Sequence, residues 1–145
     1  MIEVVGNLWE FPADVRVITT NGFIRKDGAC VMGRGCALEA KNKFPGIEHV
    51  LGAKIKAYGN HVFFLGEGLY SFPVKHNWYE KADIDLIRKS AEELAMCVSD
   101  GFEDVKEPVV VLPRPGCGNG QLKWYEVKPI LEPILDDRFH IITFS

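Results

Sequence analysis

The stretch that most constrains the fold is Val109–Trp124, VVVLPRPGCGNGQLKW. Its continuous apolar run, Val109 to Leu112, predicts a strand buried on both faces, as in parallel sheets covered by helices. Pro113 and Pro115 follow, then three glycines in five residues (Gly116, Gly118, Gly120), and apolar periodicity resumes at Leu122. A strand, a glycine-rich turn and a helix start form a geometry that aims backbone N–H groups at an anion. Glycine there lets the main chain approach a ligand with no Cβ in the way. A tight structural turn has the same spacing, and this stretch alone does not separate the two readings. A second stretch of the same kind, Gly28–Leu38 (GACVMGRGCAL), leads from a strand at Val15–Thr20 into a helical pattern. Two such loops in one small domain imply a ligand carrying two adjacent phosphates.

With 145 residues the chain is long enough for one domain with a proper core and too short for two comfortable domains, so a single domain over 1–145 is expected. Its 47% hydrophobic and 26% charged residues are those of an ordinary soluble protein. A net charge of -3 gives no global basic field for nucleic acid or membrane. No signal-peptide pattern and no apolar run of about 18 residues is present, so a cytoplasmic protein with no membrane partner is expected. Cys30, Cys36, Cys97 and Cys117 lack CxxC spacing, and His49, His61, His76 and His140 are scattered. Neither a metal nor a cofactor is expected, and the cysteines are expected as reduced thiols.

The remaining elements follow in order. Ile2–Val5 reads as a short strand, and β-branched Val15–Thr20 as a second, ended by Asn21-Gly22. A helix runs from about Cys36 to Lys43, stopping before Pro45. Ile47, Val50, Leu51, Ile55 and Tyr58 repeat at helical spacing until Gly59-Asn60. Val62–Leu65 and Leu69–Val74 read as a strand pair, and Phe72–Trp78 (FPVKHNW) as a loop. Ile84, Ile87, Ala91, Leu94, Ala95 and Val98 mark one face of a long helix. A kinked or broken helix is expected over Val127–Leu135, because Pro129 and Pro133 each remove a backbone donor. His140–Phe144 is the last strand. The alternation predicts an α/β fold with helices on both sheet faces.

Familiar phosphate motifs do not fit. Gly28 and Gly33 have Walker A spacing, but Arg34-Gly35 stand where Lys-Ser/Thr belong. Gly33-x-Gly35 lacks the third glycine of a dinucleotide fold, since position 38 is Leu. The chain instead resembles the macro domains that bind ADP-ribose. The likeness runs from GNL at Gly6–Leu8, through TTN at Thr19–Asn21 and VMGRGCAL at Val31–Leu38, to FPVKHNW and LPRPGCGNGQLKW. FPVK and the last block resemble the branch holding the terminal ADP-ribose glycohydrolases and the DarG antitoxin macro domain, which removes ADP-ribose from DNA bases.

The resemblance implies a three-layer α/β/α fold with a mixed sheet of about six strands and the ligand across their carboxyl ends. It places Val31, Met32, Gly33, Arg34, Gly35 and Cys36 on one side of the diphosphate, and Pro115, Gly116, Cys117, Gly118, Asn119 and Gly120 on the other. Arg34 either adds charge there or is simply solvated. Asn7, beside Leu8, stands where the family usually has a carboxylate for the adenine amino group; an amide oxygen accepts that bond without charge assistance. Phe144 stands where an aromatic packs on adenine, or is a core aromatic of the last strand. Asn21 matches the asparagine of the distal ribose and is a catalytic candidate beside Lys75.

Lys75 lies where the branch places its catalytic lysine. Near an apolar wall such as Phe72 and Trp78 would supply, its pKa falls and the neutral amine can attack C1″ or assist the leaving group. The glycohydrolases carry an aspartate just after GCG; here Asn119-Gly120 occupy that place, as in DarG-like members. His76 is either an acid or base, or a surface histidine. The implied function is hydrolysis of ADP-ribose from a modified macromolecule, a DNA base or an acidic protein side chain. A non-catalytic ADP-ribose module and an ADP-ribose 1″-phosphate phosphatase are the alternatives. The expected partner is ADP-ribose or an ADP-ribosylated macromolecule, ADP-ribosylated DNA included, bound by a monomer.

Overall fold

The computed structural model describes residues 1–101 and 107–144. Its elements are β1 (Ile2–Val5), β2 (Val15–Asn21), α1 (Gly35–Lys43), α2 (Ile47–Tyr58), β3 (Leu69–Lys75), α3 (Ile84–Gly101), β4 (Val110–Pro113), α4 (Trp124–Leu131) and β5 (Phe139–Thr143). The strands form one sheet in the order β1-β5-β4-β2-β3, and all four pairings are parallel. Their carboxyl ends therefore share one rim. No described helix is long and apolar enough to cross a membrane.

Alternate residues of each strand feed two cores, as the two-residue period of a strand requires. Val15, Val17, Val110, Leu112 and Ile141 pack with Ile87, Leu94, Val127 and Leu131 under α3 and α4. Ile18, Val111 and Ile142 pack with Ala37, Ala40, Leu51 and Ile55 under α1 and α2. These two layers of helix on one sheet are the expected three-layer α/β/α arrangement, covered on both faces as a parallel sheet must be.

Five strands form among the described residues, where a mixed sheet of about six was expected. Val62–Leu65 does not become a strand. It makes one isolated antiparallel bridge, Phe64 to Tyr70, because Gly66, Glu67 and Gly68 all take positive φ and turn the chain too tightly for a ladder. The other antiparallel bridge joins Ile24 to Cys30 in the first glycine loop. FPVKHNW is likewise not all loop, since Phe72–Lys75 complete β3 and only the residues after Lys75 leave the sheet. α4 ends at Leu131 with Pro129 inside it. Pro133 cannot donate to a continuing helix, so the expected break falls there.

Candidate functional site

β2 leads to α1 and α2 on one face, whereas its neighbour β4 leads to α4 on the other. The chain thus departs in opposite directions from adjacent strand ends, which opens a crevice at the rim of an open α/β sheet. A cavity of about 630 Å³ lies there. Both glycine loops line it, Gly33–Cys36 on one side and Gly116, Gly118, Asn119 and Gly120 on the other.

The first loop delivers the start of α1 to the cavity. Gly35 at φ +57 makes the turn into the helix, a conformation costly for a residue with a Cβ. Arg34 is extended and caps nothing, and the first helical turn holds no acidic side chain. The positive end of the helix is thus left open toward the cavity. The N–H groups of Gly33 and Arg34 have no hydrogen-bond partner among the described residues. Behind the loop, Cys30 N–H donates to Glu48 O at 2.9 Å. Gly52 of α2 packs so closely there that a Cβ on it would collide with the Gly28 carbonyl.

The second loop is tied down at Gly116, where φ is +75 and a Cβ would sit 2.8 Å from Ile87 Cδ1 and 3.0 Å from Ala82 Cβ. Leu122 N–H donates to Gly116 O, and Ala82 N–H to Gly120 O, both at 2.9 Å. Between these anchors the N–H groups of Gly118, Asn119 and Gly120 have no partner among the described residues. A Cβ on Gly118 or on Gly33 would meet nothing within 4 Å. Small size at those two places keeps the cavity wall bare rather than relieving an internal clash.

Lys75 and Asn21 meet through an irregularity in the sheet. β2 pairs with β3 in steady register to Thr20–Pro73; then Asn21 pairs with Lys75, and Val74 is passed over. One extra residue in β3 re-aims the strand end, the usual effect of a bulge. Lys75 Nζ donates to Asn119 O at 3.1 Å and Trp78 O at 3.3 Å. Burial lowers its pKa from the ordinary lysine value, and the Arg34 guanidinium adds to the effect. Asn21 Nδ2 donates to Val31 O at 2.9 Å, while its Oδ1 accepts from Phe23 N–H at 3.0 Å. Asn21 is therefore also the brace that holds the first loop against β2.

Val31, Met32, Arg34 and Trp78 line the cavity as well. Asn7, Leu8, Pro115, Cys117 and Phe144 stand outside its wall. Asn7 Oδ1 accepts from Trp9 N–H at 2.8 Å and so shapes a turn; Leu8 is buried in the core. Pro115 is buried behind the loop, and Cys117 Sγ turns back to Pro115 O at 3.5 Å. Phe144 is 80% exposed, which removes the core-aromatic alternative. His76 pairs with Asp83 at 3.1 Å. Cys36 Sγ lies 3.4 Å from Thr19 N and Oγ1. Burial raises the pKa of all three loop thiols, Cys30 (to about 12), Cys36 and Cys117, so none is a thiolate nucleophile at neutral pH.

Phe23, Arg25 and Arg114 also line the cavity and were not singled out from the sequence. Arg114 Nη2 donates to Glu3 at 3.4 Å, and its guanidinium lies 4.9 Å from the Trp124 ring centroid. No local pattern announces such residues, because β4 and the turn after β2 are brought together only by the sheet.

No family model matches the chain. A protein of Bos taurus named ADP-ribose glycohydrolase OARD1 is 30% identical over 110 residues, covering 74% of this chain and 68% of that protein. A Thermus aquaticus protein named DNA ADP-ribosyl glycohydrolase is 27% identical over 92% of this chain, which spans only 37% of that protein's length. Among solved structures, the macrodomain of Mycobacterium tuberculosis DarG superposes with a TM-score of 0.76 at 22% identity. That match covers 99% of this chain and 98% of the other.

Proposed function

The chain belongs to the macro domain family, and from that premise we propose that it is an ADP-ribosyl hydrolase whose reacting amine is Lys75. The carrying observation is that two loops with unpartnered N–H groups and one pKa-lowered lysine share a single cavity. The diphosphate lies between Gly33–Cys36 and Gly118–Gly120, held by backbone N–H groups and the open end of α1. That placement brings the distal ribose to Asn21 and Lys75, whose strands pair at those residues.

The neutral Lys75 amine forms an N–C1″ bond as the bond from C1″ to the acceptor breaks. The acceptor leaves with the electron pair and takes up a proton. Water then displaces the lysine, releasing ADP-ribose and restoring the amine. Water is the only co-reactant consumed. Burial and Arg34 favour the neutral amine that the first step needs. Asn21, bonded to Val31 and Phe23, keeps the loop edge fixed beside that amine.

The acceptor is an ADP-ribosylated DNA base or an acidic protein side chain. The name of the Thermus aquaticus relative supports DNA, while that of the Bos taurus relative supports ADP-ribose glycohydrolysis and names no acceptor. The protein acts as a monomer, and residues 1–145 form one macro domain. Incubation with ADP-ribosylated DNA and with glutamate-ADP-ribosylated protein tests the activity. Free ADP-ribose should appear, and Lys75→Ala should slow turnover by about 10²-fold or more while ADP-ribose still binds by calorimetry. Unchanged turnover in Lys75→Ala would leave a binding module. Phosphate release from ADP-ribose 1″-phosphate with no linkage cleaved would favour the phosphatase alternative.

A further inference from the structure

Lys75 Nζ donates to two main-chain carbonyls, Asn119 O and Trp78 O. A neutral amine has two hydrogens and one lone pair. With both hydrogens engaged, the lone pair takes the remaining tetrahedral direction. Where it points therefore depends on where the Asn119 carbonyl is held.

That carbonyl shares one planar trans peptide with the Gly120 N–H, so the two groups point opposite ways from a rigid plate. The Gly120 N–H, like those of Gly118 and Asn119, has no partner among the described residues, and all three residues line the cavity. The Asn119 side chain reaches the first loop, its Nδ2 lying 3.4 Å from where a Cβ on Gly35 would stand. Asn119 thus holds the amine through its carbonyl while its side chain lies beside the first turn of α1.

We propose that Asn119 is a positioning residue that couples an anion seated on the second loop to the orientation of the Lys75 amine. The diphosphate of the substrate then serves turnover and not affinity alone. This rests on Lys75 being the attacking amine. An acceptor on the Gly118–Gly120 N–H groups and the Asn119 side chain lodged beside Gly35 together fix the Asn119–Gly120 peptide plane. That plane orients the amine hydrogen its carbonyl accepts. Asn119→Ala keeps the peptide but removes the side-chain hold, so the anion alone no longer sets the plane. Without the anion the plate can tilt and the lone pair swings away from C1″. Binding contacts distant from the bond being broken commonly act in this way, so that truncated substrates lose kcat as well as affinity.

Two measurements on the full chain decide it. The first compares kcat on the ADP-ribosylated DNA or peptide that the protein turns over with kcat on the same substrate trimmed by a pyrophosphatase and then a phosphatase to its ribosyl form, which leaves no phosphate for the second loop. The expected loss of kcat on trimming is about tenfold or more at saturation, falling to within about twofold in Asn119→Ala. A merely structural role for Asn119 would slow both substrates alike and leave their ratio unchanged, which would overturn the proposal.

The second needs no turnover. In protein carrying 13C-labelled lysine, the Lys75 side-chain resonance is assigned by its loss in Lys75→Arg and followed as inorganic pyrophosphate is added. It should move in the native chain and move less than half as far in Asn119→Ala at equal saturation. Equal movement in both would mean that the anion acts through space and would overturn the coupling. Coupled movement with no hydrolysis of any substrate would uphold the coupling and remove the catalytic reading of Lys75. Lys75-dependent hydrolysis with no loss of kcat on trimming would do the reverse. Failure of pyrophosphate and ADP-ribose to bind would remove both.

Discussion

Replacing Gly116 by alanine separates the two jobs that glycine performs in the second loop. Its φ of +75 places an alanine in the left-handed region, at a cost of roughly 1–2 kcal/mol. The added Cβ would stand 2.8 Å from Ile87 Cδ1, 3.0 Å from Ala82 Cβ and 3.1 Å from Leu122 Cδ1. Ile87 is fully buried, so it has little room to withdraw, and overpacking of this kind costs about 1–3 kcal/mol. The sum, roughly 2–5 kcal/mol, is a large part of the about 5–15 kcal/mol that keeps a domain folded. Urea unfolding followed by tryptophan fluorescence reads it directly. Gly118→Ala is the control, with no positive φ and nothing within 4 Å of the new methyl. It should change stability by less than about 0.5 kcal/mol while weakening ADP-ribose binding about tenfold by crowding the ligand-facing main chain. Equal stability of Gly116→Ala and the native chain would refute the packing argument. Undiminished affinity in Gly118→Ala would refute the assignment of that bare surface to ligand.

In the proposed mechanism the neutral form of Lys75 attacks, so the rate should rise with pH through its pKa. Because burial and then Arg34 lower that pKa, the rise should begin below the ordinary lysine range, and Arg34→Ala should move it to higher pH in a pH–rate profile. Asn21→Ala removes the bonds to Val31 O and Phe23 N–H. It should lower both turnover and stability, the latter by about 1–3 kcal/mol, whereas Lys75→Ala should lower turnover alone; thermal unfolding distinguishes them. Ser90→Ala strips the buried Pro73 carbonyl of its 2.7 Å hydrogen bond and should cost about 1–3 kcal/mol by urea denaturation with little change in ADP-ribose affinity.

The elements legible in the sequence were those with a strong period or a sharp stop. Ile47–Tyr58 is helical to the residue, because a regular apolar stripe lies between Pro45 and Gly59. The loops were legible for the same reason, since their glycines are closely spaced. Val62–Leu65 misled because an apolar run alone does not ensure a partner, and the following Gly66–Gly68 turn uses its conformational freedom to leave the sheet. Lys75 reads as loop because the apolar run Leu69–Val74 ends just before it, yet β3 takes in that one residue more and Asn21 pairs with it. The bulge that sets Asn21 beside Lys75 has no local signature, since it belongs to the match between two strands. Arg25 and Arg114 were invisible as site residues for a related reason: they become neighbours of the cavity through sheet order.

Gly52 lies in a helix, on the side of the first loop away from the cavity, and its lack of a side chain lets α2 press main chain to main chain against Gly28. A single methyl group there would have to push the loop forward, into the space a phosphate would fill. Recognition can thus be lost from behind, with every ligand-facing residue intact. A variant search confined to the cavity wall would overlook one of the positions that sets its depth.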